Sequence, residues 1–160
     1  MTLQSLLLRA LPLPAPGRVF AESEWRTFVR MAEVLVPDVA EVTPEEVADN
    51  VEKFLVIGRS KRAWRVRFLA HLVEWSPVAL GQKPLSQMSL DERRRFVEDH
   101  YIEGGHIWAI CAKIRYLVLM GTYGDGRMHA RTSYVPASRR GRLQVVPYKE
   151  TNGVPRAAAS

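Results

Sequence analysis

Two carboxylate–histidine steps are the side chains best spaced for chemistry in this chain. His71 and Glu74 stand three residues apart, as do Glu103 and His106. On a helix such a step brings both side chains to one face, which is how di-iron bundles present their Glu-x-x-His pairs. Only Glu103–His106 has that order, and Gly104-Gly105 occupy the step where a bundle needs regular helix. Both pairs therefore read as histidines beside a carboxylate. Cys111 lies among Ile110, Ala112 and Ile114, the setting of a buried, inert thiol. There is no Gly-x-Ser-x-Gly elbow. Gly121–Gly126 (GTYGDG) follows a helical pattern, whereas a phosphate loop follows a strand, so it reads as a helix end and turn. No catalytic, metal or cofactor-binding residue is assigned to this chain.

Basic residues make a different case. Arg59–Arg67 surrounds Trp64, and Arg127–Arg142 includes His129 and Tyr134. Arginines interleaved with aromatic rings suit phosphate contact and base stacking. A basic helical nucleic-acid-binding module is accordingly the alternative function, with a helical metalloenzyme behind it. Against nucleic acid, Trp64 falls on an apolar stripe with Phe68 and Leu72, and no helix-turn-helix or zinc-finger pattern is present. The net charge of +6 is also unevenly distributed. Residues 22–52 hold nine acids and two bases, while residues 53–160 hold nineteen bases and eight acids. Such a field either steers a charged partner or joins the two parts within the fold.

The elements that would position these groups are helical. The first helix is expected over Glu22–Val36, capped at Ser23, with Trp25, Phe28, Ala32 and Leu35 inward and Pro37 as its stop. The second starts at Thr43-Pro44-Glu45-Glu46, a capping box with proline in the first turn. Its stripe is Val47, Val51, Phe54 and Leu55, and Gly58 is its cap. The third runs over Ser60–Trp75, with Trp64, Phe68, Leu72 and Trp75 as its apolar stripe, and ends at Pro77. The fourth starts at the capping box Ser89-Leu90-Asp91-Glu92 and reaches Tyr101, where Gly104-Gly105 interrupts. The fifth covers His106–Met120 around Ile107, Ile110, Ile114, Leu117 and Val118, with Gly121 and Gly124 at its end. From Asp125 onward no helical period is seen, and Arg142–Tyr148 is the one hint of a strand. Irregular segments of this length often mark disorder or an arm laid on a partner.

The fold class expected is all-α, a compact bundle of about five helices with an irregular C-terminal arm. Residues 1–19 read as an N-terminal extension, 20–124 as the helical domain and 125–160 as a basic arm. The 160 residues, 47% of them hydrophobic and 25% charged, suit one soluble domain with its own core. A single cysteine excludes an internal disulfide. Met1–Gly17 lacks the features of a secretory signal, and Ile107–Met120 carries Lys113 and Arg115, so no membrane span is expected and a cytoplasmic location is.

The order of features resembles the gluconate 2-dehydrogenase subunit 3 family, small helical partners of flavin-dependent GMC-type oxidoreductases. It is similar also to the helical N-terminal region of long-chain alcohol oxidases of that superfamily. The likeness is carried by Phe28–Pro37, Thr43–Leu55, Trp64–Pro77, Pro84–Arg95, Lys113–Gly124 and Thr132–Pro136, and spans about residues 20–137. Ser133 stands where that pattern has glycine, and no twin-arginine pair is seen. The resemblance implies a non-catalytic accessory subunit that binds and stabilises a flavoprotein large subunit acting on alcohols, sugars or steroids. FAD would then belong to the partner in a hetero-oligomer. Candidate partner contacts are Tyr123, Arg127, Arg131, Tyr134 and Arg139 of the arm region, with Trp75 and Pro77 at the end of the third helix.

Overall fold

Short-range capping chemistry starts two of the helices where the sequence places it. The structure is a computed structural model and describes residues 11–36, 41–57 and 63–131. In helix α2 (Pro44–Ile57) the Thr43 amide donates to the Glu46 carboxylate at 2.9 Å, and the Glu46 amide donates back to the Thr43 hydroxyl at 3.3 Å. Helix α4 (Leu90–Val97) repeats the device, Ser89 amide to Glu92 at 2.7 Å and Glu92 amide to Ser89 at 3.3 Å.

Helix α1 (Glu22–Leu35) starts differently from expectation. Its cap position is Ala21, not Ser23, and the Ala21 amide donates to the Glu24 carboxylate at 2.8 Å. Phe28 and Ala32 are buried as expected, while Trp25 and Leu35 are half-buried. In α2, Val47 and Val51 are buried and Leu55 half-buried, but Phe54 turns outward and lies across Gly124. Pro37 and Gly58 lie outside the described residues, as do Arg59, Lys61 and Arg62.

Helix α3 (Ala63–Trp75) corrects the sequence reading most. It buries Arg67, Leu69, Ala70 and Val73, not the stripe of Trp64, Phe68, Leu72 and Trp75. Two 3₁₀ turns follow, Ser76–Leu80 and Leu85–Gln87, and lead into α4. After Val97 the backbone widens into a π turn over Glu98–Ile102 that buries Tyr101. Gly104 follows, where a Cβ would fall 2.0 Å from the His100 carbonyl oxygen.

The expected fifth helix is three pieces. A 3₁₀ turn at His106–Trp108 precedes α5 (Ala109–Ala112), Lys113 interrupts, and α6 (Ile114–Tyr123) continues. Ile114 and Val118 are buried, but Ile110 is 58% exposed. Gly121 lies inside α6, not at its end, and the reason is packing. A Cβ there would meet the Val47 carbonyl oxygen at 2.7 Å and the Val51 side chain at 2.9 Å, so α2 and α6 approach through it. Helix α7 (Gly126–Arg131) occupies the first residues of the stretch expected to be irregular. The rest of that stretch, with the strand hint at Arg142–Tyr148, lies outside the described residues.

The architecture is all-α, with no strand among the described residues. α1 is central: it packs on α2, α3, α4 and α6, and α2 packs on α6. Phe20, Phe28, Met31, Val47, Ile114 and Val118 fill the middle. Residues 11–19, read as an extension, lie against the bundle. Leu11 is buried, and Arg18 pairs with Glu52 at 2.6 Å. The Glu52 carboxylate also accepts from the Val19 and Phe20 amides at 2.6 and 2.9 Å. Among the described residues no helix is long and apolar enough to cross a membrane.

Candidate partner-binding face

The rotation of α3 is set by charge. Glu24 on α1 has no exposed side-chain surface. It receives Arg67 Nε at 2.8 Å, lies 3.1 Å from His71 Nε2, and caps its own helix through the Ala21 amide. Burial by itself would raise this carboxyl. Hydrogen bonds from His71, Arg67 and Ala21 outweigh it and hold the group below its ordinary value. Arg67 completes the cluster by donating from Nη2 to the Pro12 carbonyl. A buried carboxylate requires such partners. Once Arg67 and His71 face α1, the stripe of Trp64, Phe68, Leu72 and Trp75 is turned away from it.

That stripe forms one wall of an open apolar groove of about 770 Å³. Trp64, Phe68 and Leu72 face Ile110, Tyr116 and Leu117 across it. α3 and α6 barely meet, and the groove is the space between them. Past Leu72 it continues into a hollow lined by Trp75, Ala79 and the edge of Cys111. Trp75, Ile110 and Tyr116 are 57%, 58% and 66% exposed. Tyr116, Met120 and Tyr123 follow at helical spacing along α6, all exposed, and extend the face. Large apolar patches of this kind mark interaction sites on soluble proteins.

Cations stand along this face. Arg65 and Lys113 line the groove, with the Arg65 guanidinium 5.5 Å from the centre of the Trp64 ring. Arg115 stands 5.9 Å from the centre of the Tyr116 ring. Among the described residues none of the three forms an ion pair with a carboxylate. Arg94 and Arg95 on α4 are likewise unpaired, but they do not line the groove.

The acidic front of the sequence behaves otherwise. Glu24 holds Arg67, Glu33 holds Arg93 and Arg30, Glu46 holds Arg127, and Asp49 and Glu52 hold Arg18. Three of these pairs, Glu24–Arg67, Glu33–Arg93 and Glu46–Arg127, join the acidic front to the basic remainder inside the fold. Glu33 repeats the logic of Glu24: burial raises its carboxyl, and Arg93 and Arg30 more than compensate. Arg93 is itself buried, donating to the Arg30 carbonyl at 3.1 Å.

The sequence candidates separate accordingly. Trp75 and Tyr123 lie on the exposed face. Pro77 is buried and offers no contact surface, which corrects its selection. Arg127 is engaged by Asp125 at 3.0 Å and Glu46 at 2.9 Å. Arg131 ends α7, and Tyr134 and Arg139 lie outside the described residues. The groove residues Phe68, Leu72, Ile110, Tyr116 and Leu117 were not among the candidates. One signal could have found them: α3 is apolar on two sides, and one helix cannot bury both against a single neighbour.

The catalytic candidates do not converge. His71 faces Glu24, while Glu74 accepts from the Ser86 amide at 3.2 Å and the Thr27 hydroxyl at 3.4 Å. Glu103 and His106 are both exposed beside the glycine pair. Among the described residues no three His, Cys, Asp or Glu side chains are grouped to hold a metal. Cys111 is buried and its thiol is pushed up by that burial, against a hydrogen bond with Tyr101. Of the basic clusters, Arg67 and Arg127 face carboxylates and are not available to a phosphate backbone.

No family model, curated protein or solved structure matches the chain.

Proposed function

We propose that this chain is a non-catalytic accessory subunit, and that the α3–α6 face is where its partner sits. The observation that carries the reading is the apolar stripe of half-buried Trp64, Phe68 and Leu72 and exposed Trp75, opposite exposed Ile110 and Tyr116. A self-sufficient domain gains by rotating such a stripe inward, at about 25 cal/mol per Å² removed from water. Here the buried Glu24–Arg67 pair keeps it outward, so a second molecule is needed to cover it. The partner proposed is the FAD-binding large subunit of a GMC-type oxidoreductase, on the strength of the sequence resemblance alone. FAD and the reacting groups would belong to that subunit, and this chain would stabilise it. The proposed compartment is the cytoplasm, which cell fractionation checks.

Co-expression with a GMC-type flavoprotein from the same organism tests the reading. The expected result is a yellow complex that co-purifies in fixed stoichiometry and is lost in Leu72→Asp. A chain that purifies alone and stable beside an unbound flavoprotein overturns it.

A further inference from the structure

We infer that the α3–α6 groove takes an amphipathic helix whose flanks are acidic, and that this helix belongs to a partner protein and not to this chain. The inference rests on the accessory-subunit reading only in assuming that the partner is a protein.

The shape argues for a helix. Both walls of the groove are helical, and at the Lys113 break the Lys113 and Tyr116 amides donate to the Ile110 and Lys113 carbonyls, so the backbone groups are largely satisfied within each wall. An extended segment would find no backbone edge to pair with. A helix brings its own backbone bonds and offers apolar side chains at i, i+3, i+4 and i+7, the usual mode of helix-in-groove recognition. From Trp64 to Trp75 the α3 wall runs about 16 Å at 1.5 Å per residue, room for about three turns.

Charge argues for the flanks and against self-occupancy. Among the described residues Arg65 and Lys113 line the groove without carboxylate partners, and Arg115 stands beside it in the same condition. The other described arginines of α1 and α3, with Arg18, Arg93 and Arg127, are matched to acids. Cations beside an apolar cleft fit carboxylates on the rim of an incoming helix. The stretches on either side of the bundle do not supply them. Residues 1–21 contain no acid, and residues 132–160 hold five bases against Glu150 alone. A second copy presenting the same face would set Arg65, Lys113 and Arg115 against their own like charges.

Two labelled helical peptides of about five turns test the inference on the full chain by fluorescence anisotropy. They share one leucine stripe and differ in having Glu or Lys along both flanks. The Glu-flanked peptide is expected to bind saturably, and the Lys-flanked one about tenfold more weakly or less. Leu72→Asp should abolish binding. Arg65→Glu with Lys113→Glu changes only exposed side chains and should reverse the preference while the circular dichroism spectrum stays that of the parent. Binding of neither peptide, equal binding of both, or a preference that the double variant leaves unchanged overturns the inference. So does a groove that rejects the Glu-flanked peptide but takes dodecanoate, or vesicles containing phosphatidylglycerol, in a manner abolished by Leu72→Asp. Co-purification with a flavoprotein is a separate readout. If it succeeds while the peptides fail, the accessory role stands and this inference falls; if it fails while the Glu-flanked peptide binds, the reverse holds.

Discussion

The two faces of α3 are both apolar in the main, yet one is buried and the other is only partly covered. The inner face has Leu69, Ala70 and Val73 around Arg67; the outer has Trp64, Phe68, Leu72 and Trp75. By area the outer face has more to gain from burial. The difference lies in what each face must neutralise. Glu24 sits wholly inside the bundle, and its charge has to be met there by Arg67 and His71. An unpaired charge in that position costs more than the aromatic stripe gains by turning inward. Rotation of a helix can therefore be decided by one ion pair against the hydrophobic majority.

The largest expected effect breaks the inner face. Glu24→Ala leaves Arg67 buried without its carboxylate and frees the Ala21 amide. The expected loss is about 3–5 kcal/mol in urea unfolding. A loss below about 1 kcal/mol would mean that charge does not hold α3 in place.

Acid should withdraw part of the same stabilisation. The Glu24 and Glu33 carboxyls titrate below their ordinary value of 4.5 in the folded chain, so the unfolded chain binds protons first. Their contribution is complete above that value and is lost as the pH falls through and below it. Thermal unfolding followed from pH 7 down to about pH 3 should show Tm falling most steeply below pH 4.5, and less steeply in Glu24→Gln. Equal slopes for the two proteins would assign acid sensitivity to other carboxylates.

The smallest effect is expected outside. Trp75→Ser should change stability by no more than about 0.5 kcal/mol, because that side chain is already 57% exposed. Differential scanning calorimetry of parent and variant checks this. A loss of 2 kcal/mol or so would show the outer stripe to be part of the core after all.

Local signals were legible in the sequence, and non-local ones were not. Thr43–Glu46 and Ser89–Glu92 form their capping boxes because each partner lies three residues away, where pattern alone suffices. The helical class and the buried Val47, Val51, Ile114 and Val118 follow from periodicity for the same reason. The groove did not, since apolar counting takes Arg67 for a surface residue. Its partner Glu24 stands 43 positions earlier, and no spacing rule connects them. Gly121 looked like a helix end because glycine usually is one, whereas here it admits the Val47 backbone. Arg127 looked free because its acids, Asp125 and Glu46, belong to a turn and to a distant helix.

The separation between Glu24 and Arg67 has a consequence during synthesis. A chain made from its N-terminus exposes α1 and α2 before α3 has left the ribosome. Over that interval Glu24 is hydrated and waits for its donor. When α3 emerges it has two apolar sides and nothing local to choose between them. The choice falls to a contact across 43 residues, so the groove acquires its walls only after the longer loop has closed. The proposed binding face would then be a late product of folding, and a partner recognising it would recognise a finished subunit.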